Sequence, residues 1–296
     1  MNPDLADLNQ QFGITGALHF ISIEGLPVIE ITTPQSSARI AVQGAQVLAW
    51  QPAGQPPVLW VSKATVYQPG KGVRGGVPVC WPWFGAGESG KPAHGFVRTR
   101  MWQVREVGQD EQSVFVRLAI HDDSATRALW DYAFDLELLV TVGATLRIEL
   151  ITHNAGDTAF AITDALHTYF HVGNIARSVV QGLDQVAYLD KVTGFEQAIQ
   201  DGAVSFAGET DRIYLDTEAE CIIDDEQLQR QIHIAKSGSR TTVVWNPWLE
   251  KEKSFADMMS GEYQQMLCVE TCNAATDVIT LAPDQTHRLV AQIWVT

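Results

Sequence analysis

Two histidines and a tyrosine, His167, Tyr169 and His171, fall on alternate positions of the stretch LHTYFHV at 166–172. In an extended chain these three share one face, and Leu166, Thr168 and Phe170 share the other. The apolar back face assigns the histidine face to something other than the main core. Three uses compete for it: metal ligation, proton transfer, or structural hydrogen bonding, which suits His171 well. Distance weighs against the metal. On a strand the two histidines stand about 13 Å apart at roughly 3.3 Å per residue, too far to share one zinc ion. The helical motif HExxH is also missing.

A carboxylate interrupts a second strand-like stretch, CVETCNA at 268–274. Glu270 shares its face with Cys268 and Cys272, while Val269 and Thr271 share the other. Partial burial among small, weakly polar side chains raises a carboxylate pKa and makes a better base near neutrality. A glutamate paired with a buried arginine is the structural alternative. Two further stretches carry cations and aromatics. GKGVRGGVPVCWPWFG at 70–85 has too many glycines and prolines for a regular element. It reads as a shaped loop presenting Lys71, Arg74, Trp81 and Trp83, either as a ligand rim or as a rigid plug. It matches neither a phosphate loop nor a dinucleotide fingerprint. In HGFVRTRMW at 94–102, an extended chain places His94, Phe96, Arg98, Arg100 and Trp102 on one side, with Gly95 a candidate bulge.

The elements that must hold these residues are nearly all strands. The segments 38–50, 113–120, 241–248, 265–274 and 287–296 are rich in β-branched residues and end at turn signals. The segment 134–156 reads as two strands hinged at 142–145 and stopped by Asn154-Ala155-Gly156. Helical spacing is confined to the N-terminal PDLADLNQQF and one turn within 124–132. With no repeat and no linker, the expected fold is all-β: one large antiparallel sandwich spanning 1–296, with 1–35 packed on it as an extension.

Composition narrows the partners. The chain has 296 residues, of which 46% are hydrophobic and 19% charged, so it can bury a substantial core. A net charge of −15 argues against nucleic acid and anionic membranes. It leaves room for a small anion held by a local basic cluster. No apolar run reaches the roughly 20 residues of a membrane span. No secretion signal is evident, and the four cysteines form no CxxC pair, so the expectation is a monomer with reduced thiols in the cytoplasm.

RGGVPVCWPWFG, HGFVRTRMW, ALHTYFHVG, TDRIYLD, VVWNPW and CVETCNA, in this order, resemble the glucose-6-phosphate 1-epimerases, or hexose-6-phosphate mutarotases, of the aldose 1-epimerase superfamily. The resemblance runs from about residue 36 to the C-terminus. It implies a galactose-mutarotase-like supersandwich whose substrate is a small hexose phosphate, with neither cofactor nor metal. It implies His167 and Glu270 as the catalytic pair, and Arg74 and Arg98 as substrate ligands, in particular for the phosphate. Asp211 and His94 are implied as further substrate ligands. Ala93 departs from the pattern, since relatives tend to carry glutamine just before HGF. Two other readings stay open: a mutarotase of unphosphorylated aldoses and a carbohydrate-binding module without turnover.

Overall fold

A computed structural model describes residues 4–88 and 90–296. Two large antiparallel sheets face each other. One has nine strands, in the order Val204–Ser205, Ser178–Gln181, Cys221–Asp225, Arg230–Ser237, Thr286–Val295, Leu146–Asn154, Phe134–Val142, Val114–His121 and Gln103–Gln109. The other has eight. Its path runs Glu196–Ile199, Ala187–Asp190, Thr210–Tyr214, Thr241–Asn246, Met266–Asn273, Asp164–Leu166 and Val79–Cys80, and Tyr169–His171 pairs beside Asp164–Leu166 on Met266–Asn273. Residues 18–52 form a four-stranded meander, and Phe160–Ile162 pairs with Ile279–Leu281. The large antiparallel sandwich read from the sequence is therefore present. So are the strand break at 143–145 and the N-terminal helix Leu5–Phe12, capped by the Asp4 carboxylate.

Side-chain alternation assigns the layers. Phe134–Val142 buries every second residue, so one face meets the partner sheet and the other meets solvent. Met266–Asn273 differs, because all eight of its residues are buried. Leu267 and Val269 join the main core, together with Leu166, Phe170 and residues of the nine-stranded sheet such as Leu136 and Leu150. Met266, Cys268 and Cys272 face the other way, into a second apolar cluster with Cys80, Ala165, Tyr169 and Trp245. The eight-stranded sheet is thus covered on both faces, and its second face carries the chemistry.

One expectation fails here. Residues 94–102 are not an extended strand. Two residues in the left-handed region, His94 at φ 61° and Gly95 at φ 72°, turn the chain, and a short 3-10 helix follows at Val97–Thr99. The cause is close approach to Trp81. A Cβ on Gly95 would lie 1.8 Å from the Trp81 carbonyl oxygen, and the Phe96 N–H donates to that oxygen at 3.1 Å. Arg98 therefore projects from a turn.

Asp164 is fully buried opposite Asn273, and among the described residues neither carboxylate oxygen has a side-chain hydrogen-bond partner. Burial pushes its pKa up to about 8. In the unfolded chain an aspartate titrates near 3.9. The folded value is the higher one, so this group's contribution to stability is fully present below about pH 4 and is lost as pH rises toward 8. Asp164→Asn removes the titration. The melting-temperature difference, variant minus wild type, should grow between pH 5 and pH 8. A difference that stays constant over that range contradicts this account.

Candidate active site

Strand register sets the central pair. Leu166 lies opposite Thr271 and Tyr169 opposite Cys268, so the same register places His167 opposite Glu270. Between the two paired segments the chain leaves the ladder, and the His167 N–H donates to the Pro78 carbonyl at 3.0 Å. His167 Nε2 and Glu270 Oε1 are 3.5 Å apart, with side-chain exposures of 13% and 1%. His167 Nδ1 and Glu270 Oε2 are buried and have no hydrogen-bond partner among the described residues.

These two side chains line a cavity of about 390 Å³, and so do Arg74, His94, Arg98 and Asp211. The six residues that the family resemblance implies for substrate or catalysis are thus brought to one place, whereas Lys71, Trp81 and Trp83 of the Gly-rich loop do not line it. His171 is not among the lining residues, although it follows Tyr169 by two positions.

Each side chain is held by its own device. Arg74 leaves the Gly-rich loop with its guanidinium on Asp257, both contacts at 3.1 Å, and donates to the Tyr169 hydroxyl at 3.1 Å. Its flat face covers the Phe255 ring at 4.7 Å. Gly76, at φ 62°, lets that loop pass the neighbouring strand, because a Cβ there would lie 2.2 Å from the Val47 carbonyl oxygen. His94 Nδ1 accepts from the Gly85 N–H at 3.3 Å, which leaves Nε2 to carry the proton of the neutral ring. Among the described residues the Arg98 side chain makes one hydrogen bond, to the Ala93 carbonyl at 3.2 Å. Asp211 Oδ2 is paired with Lys191 Nζ at 2.7 Å, while its Oδ1 is buried without a partner.

Aromatic walls fix the imidazole. Tyr169 stacks on His167 at 4.9 Å and 12°, and Trp60 stacks on the other side of Tyr169 at 5.7 Å. Trp245 meets the His167 ring edge-on at 6.0 Å. Neither Trp81 nor Trp83, the tryptophans of the candidate ligand rim, lines the cavity, whereas Trp245 does. Trp81 is fully buried and donates to Thr152 in the core. Trp83 turns away to the Pro92 carbonyl.

The electrostatics follow from burial. Glu270 is held well above the ordinary carboxylate range, by desolvation first and then by repulsion from Asp211. Desolvation, His94 and Arg74 hold His167 well below the ordinary imidazole range. His94 is pushed down to about 4, by burial and then by Arg98. The site therefore favours a carboxylic acid beside two neutral imidazoles. Around them stand the cations Arg74, Arg98, Lys191 and Lys251. Asp257 and Asp211 balance two of these, and among the described residues no side-chain partner balances Arg98 or Lys251. A strongly acidic chain thus keeps a locally cationic cavity.

Sequence reading missed Lys191, Lys251, Phe255 and Asp257. Lys191 sits just past the strand Ala187–Asp190, and only its ion pair with Asp211 distinguishes it. Lys251, Phe255 and Asp257 belong to LEKEKSFADMMSG, which looks like a solvated charged turn. Burial of Glu252 and Glu262 decides otherwise. Glu252 accepts from the Gly261 and Tyr263 N–H groups, and Glu262 from Ser62, Lys63 and Met259, which ties this segment over the sheet.

The profile of the aldose 1-epimerase family matches residues 27–294. A candidate glucose-6-phosphate 1-epimerase of Escherichia coli is 39% identical over 255 residues, 86% of this chain and 85% of that protein. Its counterpart in Salmonella typhimurium is 38% identical over 88% of each chain. The crystal structure of a candidate mutarotase from Salmonella typhimurium superposes with a TM-score of 0.91 at 37% identity, covering 96% of this chain and 95% of that one.

A protonated Glu270 has a direct signature. At pH 6, where an ordinary glutamate is ionised, the infrared difference spectrum of wild type minus Glu270→Gln should contain the C=O stretch of a protonated carboxyl. A difference spectrum with only carboxylate bands contradicts the environment described here.

Proposed function

The chain belongs to the aldose 1-epimerase family, and on that premise we propose that it interconverts the α and β anomers of glucose 6-phosphate or a closely related hexose 6-phosphate. One observation carries this reading: a single cavity holds a desolvated Glu270/His167 pair and, beside it, cations without a matching number of free carboxylates. The pair supplies the chemistry of ring opening, and the surplus cations supply a place for a phosphate.

Opening the pyranose breaks the bond between C1 and the ring oxygen. The proton on the anomeric hydroxyl leaves and the ring oxygen gains one. With Glu270 as carboxylate base and His167 as imidazolium acid, one turn of this exchange yields a carboxylic acid and a neutral imidazole, together with an open aldehyde. That is the protonation state which burial favours at both residues. The environment therefore stabilises the pair as it stands when the sugar is open. Rotation about C1–C2 presents the other aldehyde face. Closure then returns one proton to the carbonyl oxygen from Glu270 and takes one from the hydroxyl through His167. The pair starts again unchanged, so net chemistry requires no redox partner.

His94 offers an Nε2–H, and Asp211 an unpartnered carboxylate oxygen, to the sugar hydroxyls. Arg98 and Lys251 are the freest positive groups for a phosphate. Arg74 is more constrained, since Asp257, Tyr169 and Phe255 already hold it. A phosphate dianion beside Arg74 and Arg98 offsets two of the charges that depress His167. Binding the correct substrate then makes the imidazolium easier to form.

Two experiments test the reading by exchange NMR between anomers. Glu270→Gln and His167→Ala should each lose about 10²–10⁴-fold in turnover with the fold intact, whereas His171→Ala, outside the cavity, should remain close to wild type. Near-wild-type exchange in either of the first two removes the acid–base assignment. Arg98→Ala and Arg74→Ala should raise KM for glucose 6-phosphate by about tenfold to a hundredfold, the equivalent of about 1.5–3 kcal/mol for a charge-assisted contact. They should change little for free glucose. Equal losses on both sugars mean that these arginines hold no phosphate and that the substrate is an unphosphorylated aldose.

A further inference from the structure

The residues read from sequence as a metal possibility, His167 and His171, are not the ones that the fold gathers. We propose that His167, Cys268 and Glu270 form a site for a thiophilic divalent cation of the zinc or cadmium class, and that such an ion competes with the sugar for the acid–base pair.

Three observations carry this. First, one ligand atom from each residue lies within 4.8 Å of the other two, and the His167–Glu270 pair is already at 3.5 Å. Ligands at tetrahedral zinc are separated by about 3.3–3.8 Å, given Zn–N near 2.0 Å and Zn–S near 2.3 Å. Small side-chain rotations therefore close the set. Second, the sheet presents them together. Cys268 and Glu270 are two apart on Met266–Asn273 and share the face turned away from the inter-sheet core, and the register sets His167 opposite Glu270. Third, donor atoms are available. His167 Nε2 faces Glu270, whose Oε2 is buried with no hydrogen-bond partner among the described residues, and a free thiol lies beside them.

The donor set, one thiolate, one imidazole and one carboxylate, suits a borderline-soft ion better than magnesium or calcium. Three protein ligands leave a fourth position open toward the cavity for water. Binding replaces the thiol proton of Cys268, and the carboxyl proton of Glu270 where present, and both pass to solvent. The bound ion then occupies the lone pairs that ring opening needs, so the expected effect is inhibition. Cys80 and Cys272 lie in the same apolar cluster but outside the set.

The full-length protein, stripped with a chelator, should bind one equivalent of cadmium and show a thiolate-to-cadmium charge-transfer band in the ultraviolet. Cys268→Ser should lose that band, whereas Cys272→Ser should keep it. Zinc should suppress wild-type anomer exchange, a chelator should restore it, and Cys268→Ser should need at least about tenfold more zinc for the same inhibition. Glu270→Gln keeps the thiol and should retain the band with about tenfold weaker cadmium binding, which decides the matter if Cys268→Ser does not fold. Equal cadmium bands in wild type and Cys268→Ser, or unweakened binding in Glu270→Gln, overturn the site. The same holds if zinc inhibits wild type and Cys268→Ser at the same concentration. Absence of exchange on any sugar with the cadmium band intact would remove the proposed reaction and leave the ion site standing.

Discussion

The interaction on which the rest of this molecule depends is the contact between His167 and Glu270, made where neither charge is well solvated. Leaving buried polar atoms unpaired costs about 1–3 kcal/mol each, and the pair keeps two of them, one on each residue, with a third on Asp211 nearby. The surrounding architecture has to offset that cost. The strand Met266–Asn273 is buried on both faces, so one face anchors in the inter-sheet core while the other holds the pair. The Trp60–Tyr169–His167 stack keeps the imidazole from rotating away, and Trp245 closes its edge. Glu270 is thus held on the strand Met266–Asn273 and His167 between two short strands paired to it; among their cavity neighbours Asp211 stands on the strand Thr210–Tyr214, while Arg74, His94 and Arg98 come from loops and a 3-10 turn.

Charge is organised on two scales. At −15, the whole protein repels a phosphorylated sugar at long range. Surface charges fade over about 8–10 Å at physiological ionic strength, so what a bound phosphate meets is the cavity's own lining. There, Asp257 and Asp211 neutralise Arg74 and Lys191 while orienting them, and Arg98 and Lys251 remain available. The thiol beside the pair belongs to the same design problem. Small, weakly polar residues pack around the buried Glu270, and one of them, Cys268, is the thiol of the proposed ion site.

How much of the site was legible depended on whether backbone parity survives. Along 164–171 the alternation reads correctly: Ala165 and Tyr169 face the cavity side, and Leu166 and Phe170 face the core. It fails at 94–102, where a turn replaces the strand because Gly95 must pass against the Trp81 carbonyl. Arg98 reaches the cavity all the same, from a 3-10 turn. Parity also cannot separate His167 from His171. The first stands across from Glu270, and the second lies past the cavity.

The sequence by itself determined the all-β class, the strands within 113–120, 134–156, 241–248, 265–274 and 287–296, a hinge within 142–145 and the short motifs that carry Arg74, His94, Arg98, His167, Asp211 and Glu270, because these rest on local patterning and on residue types. The tertiary structure alone decided what those residues meet. Register across Met266–Asn273 brought His167 beside Glu270 and Cys268 from positions about a hundred apart in the chain. The buried carboxylates of Glu252 and Glu262 brought a charged turn over the sheet, with Lys251, Phe255 and Asp257 on it. Such contacts are invisible to periodicity, since burial and pairing are properties of the assembled sheets and not of any one segment.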